Sequence, residues 1–367
     1  MSGYLLAGGG TAGHVNPLLA SADRIRERDP EARILVLGTA EGLESRLVPG
    51  HGYELAVIPK LPFPRRPGGY ALRFPFALYG AVRRVRRMLR ERRIDVVVGF
   101  GGYAAAPAYL ASSGARVPIV VHEANARAGW ANRLGARRAA RVGVAFEGTG
   151  LPGARLIGMP LRHEIEELDR GASRAAAARS FGLDPARPIL LVTGGSLGAR
   201  SINTTLVRRA EQITAAGWQV LHIQGGREEI ADPHVDGYRL IGYCDRMADA
   251  LAAADLALAR AGAGTVSEFG ALGIPAIYVP FPIGNGEQRL NAAGIVAAGG
   301  GLLVDDADLT PEWLDRELLP LIADPARVRE MARRAASQGT RDGTARLVDL
   351  IMEVRPHKAI TQEGGNP

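Results

Sequence analysis

Three glycine-rich segments contain the residues that could carry out chemistry, and each follows a strand-like apolar run. They are Gly8 to His14, Thr193 to Arg200 with Ser196 at its centre, and Gly262 to Glu268. Glycines allow close backbone approach, and the N–H groups of a helix that begins there can face an anion. The first two turns, about half a chain apart, suggest two nucleotide-fold halves that face each other across a cleft.

His14 directly follows the first glycine-rich segment, where a helix N-terminus would open into the cleft. The positive end of a helix lowers the pKa of a histidine and keeps the ring neutral, as a general base requires. His122 and Glu123, at the end of another predicted strand, are a second candidate pair. A lone histidine is more often structural than catalytic, so the residues alone leave the identity of the base open.

Three further motifs match known patterns only loosely. The first loop fits the dinucleotide fingerprint G-x-G-x-x-G, but the first acid after the next strand, Glu41, lies beyond the turn, which disfavours a dehydrogenase. The second loop fits the nucleophile elbow G-x-S-x-G, but no downstream histidine suits a triad, which disfavours a hydrolase. Asp306-Ala307-Asp308 resembles a metal-binding D-x-D. We interpret it as solvated turn acids away from the glycine-rich loops, and we expect no catalytic metal.

The charge of the chain is concentrated in one stretch. The net charge is +7, yet residues 60–93 alone carry +10. Arginines interleaved with apolar residues suit an anionic membrane surface, whereas the alternative is a solvated helix whose apolar face is core. Nothing here resembles a base-reading module, so we expect no nucleic-acid partner. The predicted membrane patch consists of Phe74, Phe76, Leu78, Tyr79, Val82, Arg83, Arg84, Arg86 and Arg87.

Strand-like and helix-like runs alternate along the chain and position these motifs. Strands are predicted at 3–8, 33–38, 53–58, 94–99, 117–121, 141–145, 188–193, 218–223, 238–241, 255–259, 275–279 and 301–304. Helices are predicted at 16–28, 41–48, 70–92, 103–113, 129–138, 201–215, 246–253, 265–272, 287–298, 311–322, 325–336 and 342–354. This alternation favours an α/β protein of two doubly wound domains with parallel sheets.

Length and composition agree with two domains of ordinary size. The chain has 367 residues, of which 47% are hydrophobic. We expect domains at 1–157 and 158–341, a linker near 152–160, a final helix extending to about 356, and a frayed tail at 357–367. The single cysteine, Cys244, excludes an internal disulfide and fits a reducing compartment. We also expect no secretory leader and no membrane-spanning segment.

The ordered combination of these segments resembles the MurG family, within glycosyltransferase family 28. The matching segments are Ala7 to His14, Gly101 to Tyr103, His122 to Asn125, Gly158 to Arg162, Thr193 to Arg200, Gly262 to Glu268, and Pro280 to Gln288. The resemblance implies a GT-B fold and inverting transfer of N-acetylglucosamine from UDP-GlcNAc to the C4 hydroxyl of undecaprenyl-pyrophosphoryl-MurNAc-pentapeptide (lipid I), giving lipid II in peptidoglycan synthesis. It also implies no cofactor and a peripheral protein on the cytoplasmic face of the bacterial membrane, near other cell-wall synthesis and division proteins.

The same resemblance assigns roles to single residues. Glu268 would take the ribose hydroxyls, Ser196 a phosphate, and Arg162 with the Cys244 backbone the uracil. Gln288 and Asn125 would contact the GlcNAc. The remaining donor-site residues would be Thr11, Ala12, Gly13, Ala263, Gly264, Thr265, Val266 and Ser267. We favour His14 as the base, with Glu123 behind it.

Two other functions fit the same motifs. One is a UDP-GlcNAc 2-epimerase, which needs no lipid acceptor, and the other is a nucleotide-sugar sensor without catalysis. The chain departs from the usual family pattern at Ala12, Ala124, Met159 and Glu287. None of these departures removes a group that the chemistry requires.

Overall fold

The structure is a computed structural model that describes residues 1–64, 66, 68–227, 229–283 and 285–356. The predicted frayed tail at 357–367 lies outside the described residues. The described chain forms two α/β units, each built on one parallel sheet with helices on both faces. The predicted fold class, a GT-B arrangement of two Rossmann-like domains, is confirmed.

The first sheet has the strand order β3-β2-β1-β4-β5-β6-β7, and all its strand pairs are parallel. Its central strand β1 is buried along its whole length, because helices cover both faces. The strands are β1 (Gly3–Ala7), β2 (Arg33–Gly38), β3 (Glu54–Val57), β4 (Val96–Gly99), β5 (Ile119–Glu123), β6 (Arg141–Val144) and β7 (Ala154–Leu156). The helices between them are α1 (Ala12–Arg28), α2 (Glu44–Gly50), α3 (Gly69–Glu91), α4 (Ala105–Ala115) and α5 (Trp130–Ala136).

The second sheet repeats this plan with the order β10-β9-β8-β11-β12-β13. Its strands are β8 (Ile189–Thr193), β9 (Gln219–Ile223), β10 (Tyr238–Ile241), β11 (Leu256–Ala259), β12 (Ala276–Tyr278) and β13 (Gly301–Leu303). Its helices are α6 (His163–Glu166), α7 (Arg170–Ser180), α8 (Arg200–Val207), α9 (Ala210–Ala215), α10 (Met247–Ala253), α11 (Ala263–Leu272), α12 (Glu287–Ala297), α13 (Pro311–Trp313), a π-helical turn (Leu314–Leu318), α14 (Leu319–Ile322) and α15 (Pro325–Ala336). The last helix of the described chain is α16 (Gly343–Glu353).

Strand order reverses once in each sheet, and both reversals lie where the glycine-rich segments are. In the first sheet the reversal is between β1 and β4, and in the second it is between β8 and β11. Ligands of doubly wound sheets bind in the crevice beyond the strand ends at such a switch point. The topology therefore directs the search for a site to the loops that follow these four strands.

Three local predictions were wrong. The stretch 152–160, expected to be a linker, contains β7, whose three exposed residues give no apolar signal. The prediction also missed α6 and α7, although Asp169 caps α7 by accepting the Ala172 N–H at 3.0 Å. The helix expected at 201–215 is two helices, α8 and α9, separated by a turn at residues 208–209.

The chain crosses between the two units at two adjacent places. The first crossing follows β7, where Gly158 has a φ of +85° and a Cβ on it would lie 2.6 Å from the Thr340 side chain. The second crossing enters α16, where Thr344 Oγ1 donates to the Leu161 carbonyl at 3.0 Å. Helix α16 then packs on α1 and on β5 and β6 of the first sheet. The last described helix therefore belongs to the packing of the first unit.

Candidate active site at the interdomain cleft

The first glycine-rich loop is built around a buried carboxylate, that of Glu44. Its Oε2 accepts the Gly10 N–H at 2.8 Å, while its Oε1 accepts the Thr39 N–H at 2.9 Å and the Thr39 hydroxyl at 2.8 Å. A Cβ on Gly9 would lie 2.3 Å from Glu44 Oε1. Burial alone would raise the pKa of Glu44, but these donors outweigh it and lower the pKa. The loop is thus already bound to an internal anion.

That arrangement also explains why the dinucleotide interpretation fails. The first acid after β2 in the sequence is Glu41, but it is Glu44 of α2 that reaches back to the end of that strand. The Gly10 N–H that would face a pyrophosphate is occupied by this carboxylate. Nothing in the spacing of Glu44 indicated such a contact, because only the fold brings α2 beside the first loop.

His14 lies in the first turn of α1, with Thr11 at the N-cap and Ala12 and Gly13 before it. Its Nδ1 is 3.2 Å from the Gly9 carbonyl oxygen and 3.4 Å from Thr11 Oγ1. A Cβ on Gly101 would lie 3.0 Å from Nε2, so the glycine leaves room beside that nitrogen. Burial lowers the pKa of His14, partly offset by Glu123, by the Gly9 carbonyl and by Glu44. The ring is therefore neutral near pH 7, with Nε2 as the nitrogen that can accept a proton.

Glu123 ends β5 and is almost completely buried. Its Oε1 accepts the Asn125 N–H at 2.9 Å, and its Oε2 accepts the Gly129 N–H at 2.9 Å and Asn132 Nδ2 at 3.0 Å. Asn132 Oδ1 in turn accepts the Tyr109 hydroxyl at 2.7 Å. With its oxygens engaged in this way, Glu123 organises the loop 124–129, and the geometry favours His14 as the base.

The side chain of Asn291, on α12 of the second domain, contacts that loop across the cleft. Its Oδ1 accepts the Ala126 N–H at 2.8 Å, and its Nδ2 donates to Asn125 Oδ1 at 3.3 Å. Nδ2 also lies 3.3 Å from the Ala261 carbonyl, in the loop that leads into α11. Asn291 therefore joins the rim of the first domain to a glycine-rich loop of the second. This role of Asn291 could not be predicted, because one asparagine in a helix carries no pattern.

Glu268 and Arg162 face each other in the second domain. Their side chains approach to 3.5 Å, and Arg162 also pairs with the exposed Glu164 at 2.7 Å. The predicted helix at 265–272 would put Glu268 in its first turn, but α11 begins at Ala263, so Glu268 lies in the second turn. Burial raises the pKa of Glu268, and Arg162 partly offsets this. The pair places a carboxylate and a guanidinium side by side, as a ribose and a uracil would require.

The other predicted donor residues follow the carboxyl ends of four strands of the second sheet, β8, β10, β11 and β12. Ser196 is exposed on the loop between β8 and α8, and its carbonyl accepts the Gly226 N–H at 3.0 Å. The α11 residues Ala263, Gly264, Thr265, Val266 and Ser267 form the first turns of that helix. Gln288 is the second residue of α12, and its Oε1 accepts the Phe281 N–H at 2.9 Å. Cys244 is half-buried after β10, and burial raises the pKa of its thiol.

Asp306 does not belong to a solvated turn, contrary to the prediction. It forms a short ion pair with Arg260, and it accepts the Ser201 hydroxyl at 2.6 Å. Arg260 also donates to the Val279 carbonyl at 3.2 Å. The tertiary fold thus brings the aspartate motif onto the start of α8, beside the second glycine-rich loop. Throughout the described ranges, no three His, Cys, Asp or Glu side chains are grouped so that they could hold a metal ion.

His122 was a candidate base, but its side chain is buried and does not face the cleft. Its ring is fully buried near Phe100, with Nε2 at 3.3 Å from the Gly158 carbonyl. Burial lowers its pKa to about 4. The contact with Gly158 places His122 at the first crossing between the domains.

The predicted membrane patch is only partly exposed. Phe74 is buried, while Leu78 and Val82 are half-buried. Phe76 and Tyr79 are 79% and 64% exposed, and the four arginines at 83, 84, 86 and 87 are exposed as well. Phe74 was therefore wrongly assigned, because the helix turns it towards the domain.

Three residues that the prediction omitted extend the exposed surface. Leu72, 77% exposed, lies on the same helix face as Phe76 and Tyr79, at spacings of four and seven residues. Phe63 and Trp130 are about half exposed, and their ring centroids are 4.9 Å apart. We call Leu72, Phe76, Tyr79, Phe63 and Trp130 the apolar surface. In the part of the chain that the structure describes, no helix is long and apolar enough to cross a bilayer.

Comparisons with known proteins identify the family of this chain. The N-terminal domain model of glycosyltransferase family 28 matches residues 4–144, and the C-terminal domain model matches residues 189–347. A protein of Leifsonia xyli subsp. xyli named UDP-N-acetylglucosamine–N-acetylmuramyl-(pentapeptide) pyrophosphoryl-undecaprenol N-acetylglucosamine transferase is 68% identical, over 96% of this chain and 98% of its own length.

Two solved structures define the fold relationship. The MurG crystal structure of Acinetobacter baumannii has a TM-score of 0.79 at 27% identity, covering 96% of this chain and all of the other. The UDP-GlcNAc 2-epimerase of Neisseria meningitidis, bound to UDP-GlcNAc, has a TM-score of 0.68 at 13% identity, covering 96% of this chain and all of the other. The second likeness concerns the fold alone.

Proposed function

The chain belongs to glycosyltransferase family 28 and, within it, to the MurG family, and from this premise we propose that it converts lipid I to lipid II. It transfers N-acetylglucosamine from UDP-GlcNAc to undecaprenyl-pyrophosphoryl-MurNAc-pentapeptide and releases UDP. The observation that carries the proposal is the pairing, in one cleft, of a neutral His14 on the first domain with the Arg162–Glu268 pair on the second.

The chemical step is an in-line displacement at the anomeric carbon of the donor. The C4 hydroxyl oxygen of the acceptor forms the new bond, and the bond between the anomeric carbon and the UDP oxygen breaks with its electron pair remaining on UDP. The hydroxyl proton passes to His14 Nε2. The α-linked donor therefore becomes a β-1,4-linked product, and His14 contributes by general base catalysis.

The negative charge that develops on the departing pyrophosphate needs stabilisation. The N-termini of α8 and α11 open at the switch point of the second sheet, where backbone N–H groups and the helix dipole favour an anion. We expect Ser196 to bind a phosphate there, and Glu268 the ribose. Gln288 and Asn125 are the proposed contacts of the GlcNAc.

The proposed reaction uses no metal ion or other cofactor. Support comes from Asp306, the first acid of the D-x-D motif at 306–308, which is neutralised by Arg260 and accepts the Ser201 hydroxyl. An aspartate with those partners is poorly available as a metal ligand, since its charge is already compensated. The charge compensation at the pyrophosphate is therefore assigned to backbone N–H groups.

We further propose that the protein binds the cytoplasmic face of the membrane peripherally, where the lipid acceptor lies, near other cell-wall synthesis and division proteins. The apolar surface and the arginines of α3 support this, since exposed apolar side chains beside cationic ones suit an anionic bilayer surface. Arg83 lies 5.9 Å from the Tyr79 ring centroid, so charge and apolar surface are contiguous.

The decisive experiment measures UDP release from UDP-GlcNAc in EDTA, with and without a lipid I analogue. Release that depends on the acceptor and survives the chelator supports the proposal. Donor binding without acceptor-dependent UDP release, with UDP-ManNAc formed, would indicate a 2-epimerase. Donor binding without any turnover would indicate a sensor.

A further inference from the structure

One peptide group links Glu44 to His14. The N–H of Gly10 and the carbonyl of Gly9 belong to the same peptide, which is trans like the others in the described chain. In a trans peptide these two groups point in opposite directions. Glu44 Oε2 accepts the N–H at 2.8 Å on one side, and His14 Nδ1 lies 3.2 Å from the carbonyl oxygen on the other.

Hydrogen bonds that share a peptide polarise one another. A carboxylate that accepts the N–H makes the carbonyl oxygen of the same peptide a stronger acceptor. That oxygen holds His14 in the tautomer protonated at Nδ1, and Nε2 is left with the lone pair. We propose that Glu44 is a positioning residue for the base, acting on His14 through the Gly9–Gly10 peptide. This inference rests on the proposed function, because it assumes that His14 is the base.

The surrounding glycines are independent support for this arrangement, because they leave the space that it needs. A Cβ on Gly9, Gly38 or Gly42 would lie 2.0 to 2.5 Å from a Glu44 side-chain atom. On the opposite side, a Cβ on Gly102 would lie 2.5 Å from the Gly9 carbonyl oxygen. Four glycines from three loops therefore leave the space that the carboxylate and the shared peptide occupy.

The titratable groups that interact with His14 come from two elements. Glu123 and His122 lie at the end of β5, and Glu44 lies on α2. Both carboxylates raise the pKa of His14, whereas burial lowers it more strongly. Removing the charge of Glu44 therefore lowers the pKa of His14 further, which makes the base weaker and moves its titration to lower pH.

The test compares Glu44→Gln with Glu41→Gln, a matched control on the exposed turn before α2. We expect Glu44→Gln to lower kcat by about tenfold or more and to shift the acid limb of the pH profile to lower pH, while KM for UDP-GlcNAc changes little. Glu41→Gln should match the wild type. An unchanged acid limb with kcat within about twofold of the wild type overturns the proposal.

A second measurement covers the case in which Glu44→Gln fails to fold. Wild-type protein with ¹⁵N-labelled histidine reports the tautomer of His14, assigned by loss of its signals in His14→Gln. We expect Nδ1 to be protonated and Nε2 unprotonated across the active pH range. The opposite tautomer would overturn the proposed role of Glu44. If His14→Gln retains full activity, the proposed base itself is wrong. If His14→Gln loses activity but Glu44→Gln leaves the pH profile unchanged, His14 remains the base and only the proposed role of Glu44 is wrong.

Discussion

Arg24 on α1 donates to Glu166 on α6 at 2.9 Å, and this ion pair joins the two domains on the side of α1 away from its N-terminus. The Glu166 side chain is 7% exposed, and its other oxygen, Oε1, is buried without a hydrogen-bond partner among the described residues. The negative charge of Glu166 is therefore compensated by Arg24, whereas Arg24 has a second acidic partner, Glu27, at 3.3 Å.

That asymmetry predicts unequal effects of removing the two partners. Arg24→Ala leaves a buried charge unpaired and should lower the free energy of unfolding by about 2 kcal/mol or more, whereas Glu166→Gln should cost less. The double variant should recover part of the loss. Denaturant unfolding monitored by tryptophan fluorescence measures all three. Equal losses in the two single variants would contradict the interpretation.

His14→Ala should lower kcat by about 100-fold, because the hydroxyl proton of the acceptor loses its base. In the wild type, activity requires the neutral ring, so it rises with pH as His14 loses its proton. Because burial lowers the pKa of His14, the acid limb of kcat/KM should lie below pH 6.5. A limb above that value would contradict the geometry. Donor binding measured by calorimetry serves as the folding control.

Glu268→Gln should raise KM for UDP-GlcNAc about tenfold with a smaller effect on kcat, since a carboxylate accepts ribose hydroxyls more strongly than an amide does. Glu164→Gln is the matched control, because Glu164 is an exposed partner of the same arginine. Burial raises the pKa of Glu268, so wild-type affinity for UDP should decline as pH falls through that raised value, above 4.5. Calorimetric titration of UDP across pH tests both statements, and an unaffected Glu268→Gln would exclude the ribose role.

Replacing Leu72, Phe76 and Tyr79 together by serine should release the protein from anionic vesicles, because the exposed stripe of α3 loses its apolar surface. Reversing the charges of Arg83, Arg84, Arg86 and Arg87 should release it too, with a stronger dependence on salt and on anionic lipid. Leu156→Ser, half exposed on β7, is the control. Vesicle sedimentation measures binding, and retention of either variant at wild-type level would argue against this surface.

His222 predicts a pH dependence of stability that needs no ligand. His222 is fully buried, with its Nδ1 2.6 Å from the Tyr238 hydroxyl oxygen and its Nε2 3.1 Å from Asn203 Oδ1. Burial lowers its pKa to about 4. His222 takes up a proton near pH 6.5 in the unfolded chain but only near pH 4 in the folded chain. The contribution of this residue to the free energy of unfolding is therefore complete above pH 6.5 and is lost as the pH falls from 6.5 to 4. The loss is about 3 kcal/mol for this group. His222→Gln should show a correspondingly shallower pH slope in denaturant unfolding; an equal slope would rule out the assignment.

Much of the fold could be predicted from the sequence, because buried parallel strands are continuous apolar runs and glycine-rich turns mark their ends. The strands of both sheets were located within two or three residues apart from β7, which has no apolar residue pattern and lies exposed at the sheet edge. The missed helix α7 packs through alanines, which give a weak periodic signal, and α6 has only four residues. The roles of single residues at the site remain predictions.

The sequence by itself determined the two-domain α/β plan, the positions of the glycine-rich loops and the family, since these depend on residue type and local order. Only the tertiary structure decided which groups meet. It brought Glu44 to Gly10, Asn291 to the loop after Glu123, and Asp306 to Arg260, and it turned Phe74 inwards while Phe76 stayed exposed. The first three contacts join separate elements, and hydrogen bonds between distant residues leave no periodic trace in a single chain. The burial of Phe74 depends on which face of its helix meets the core, and only the packed structure decides that.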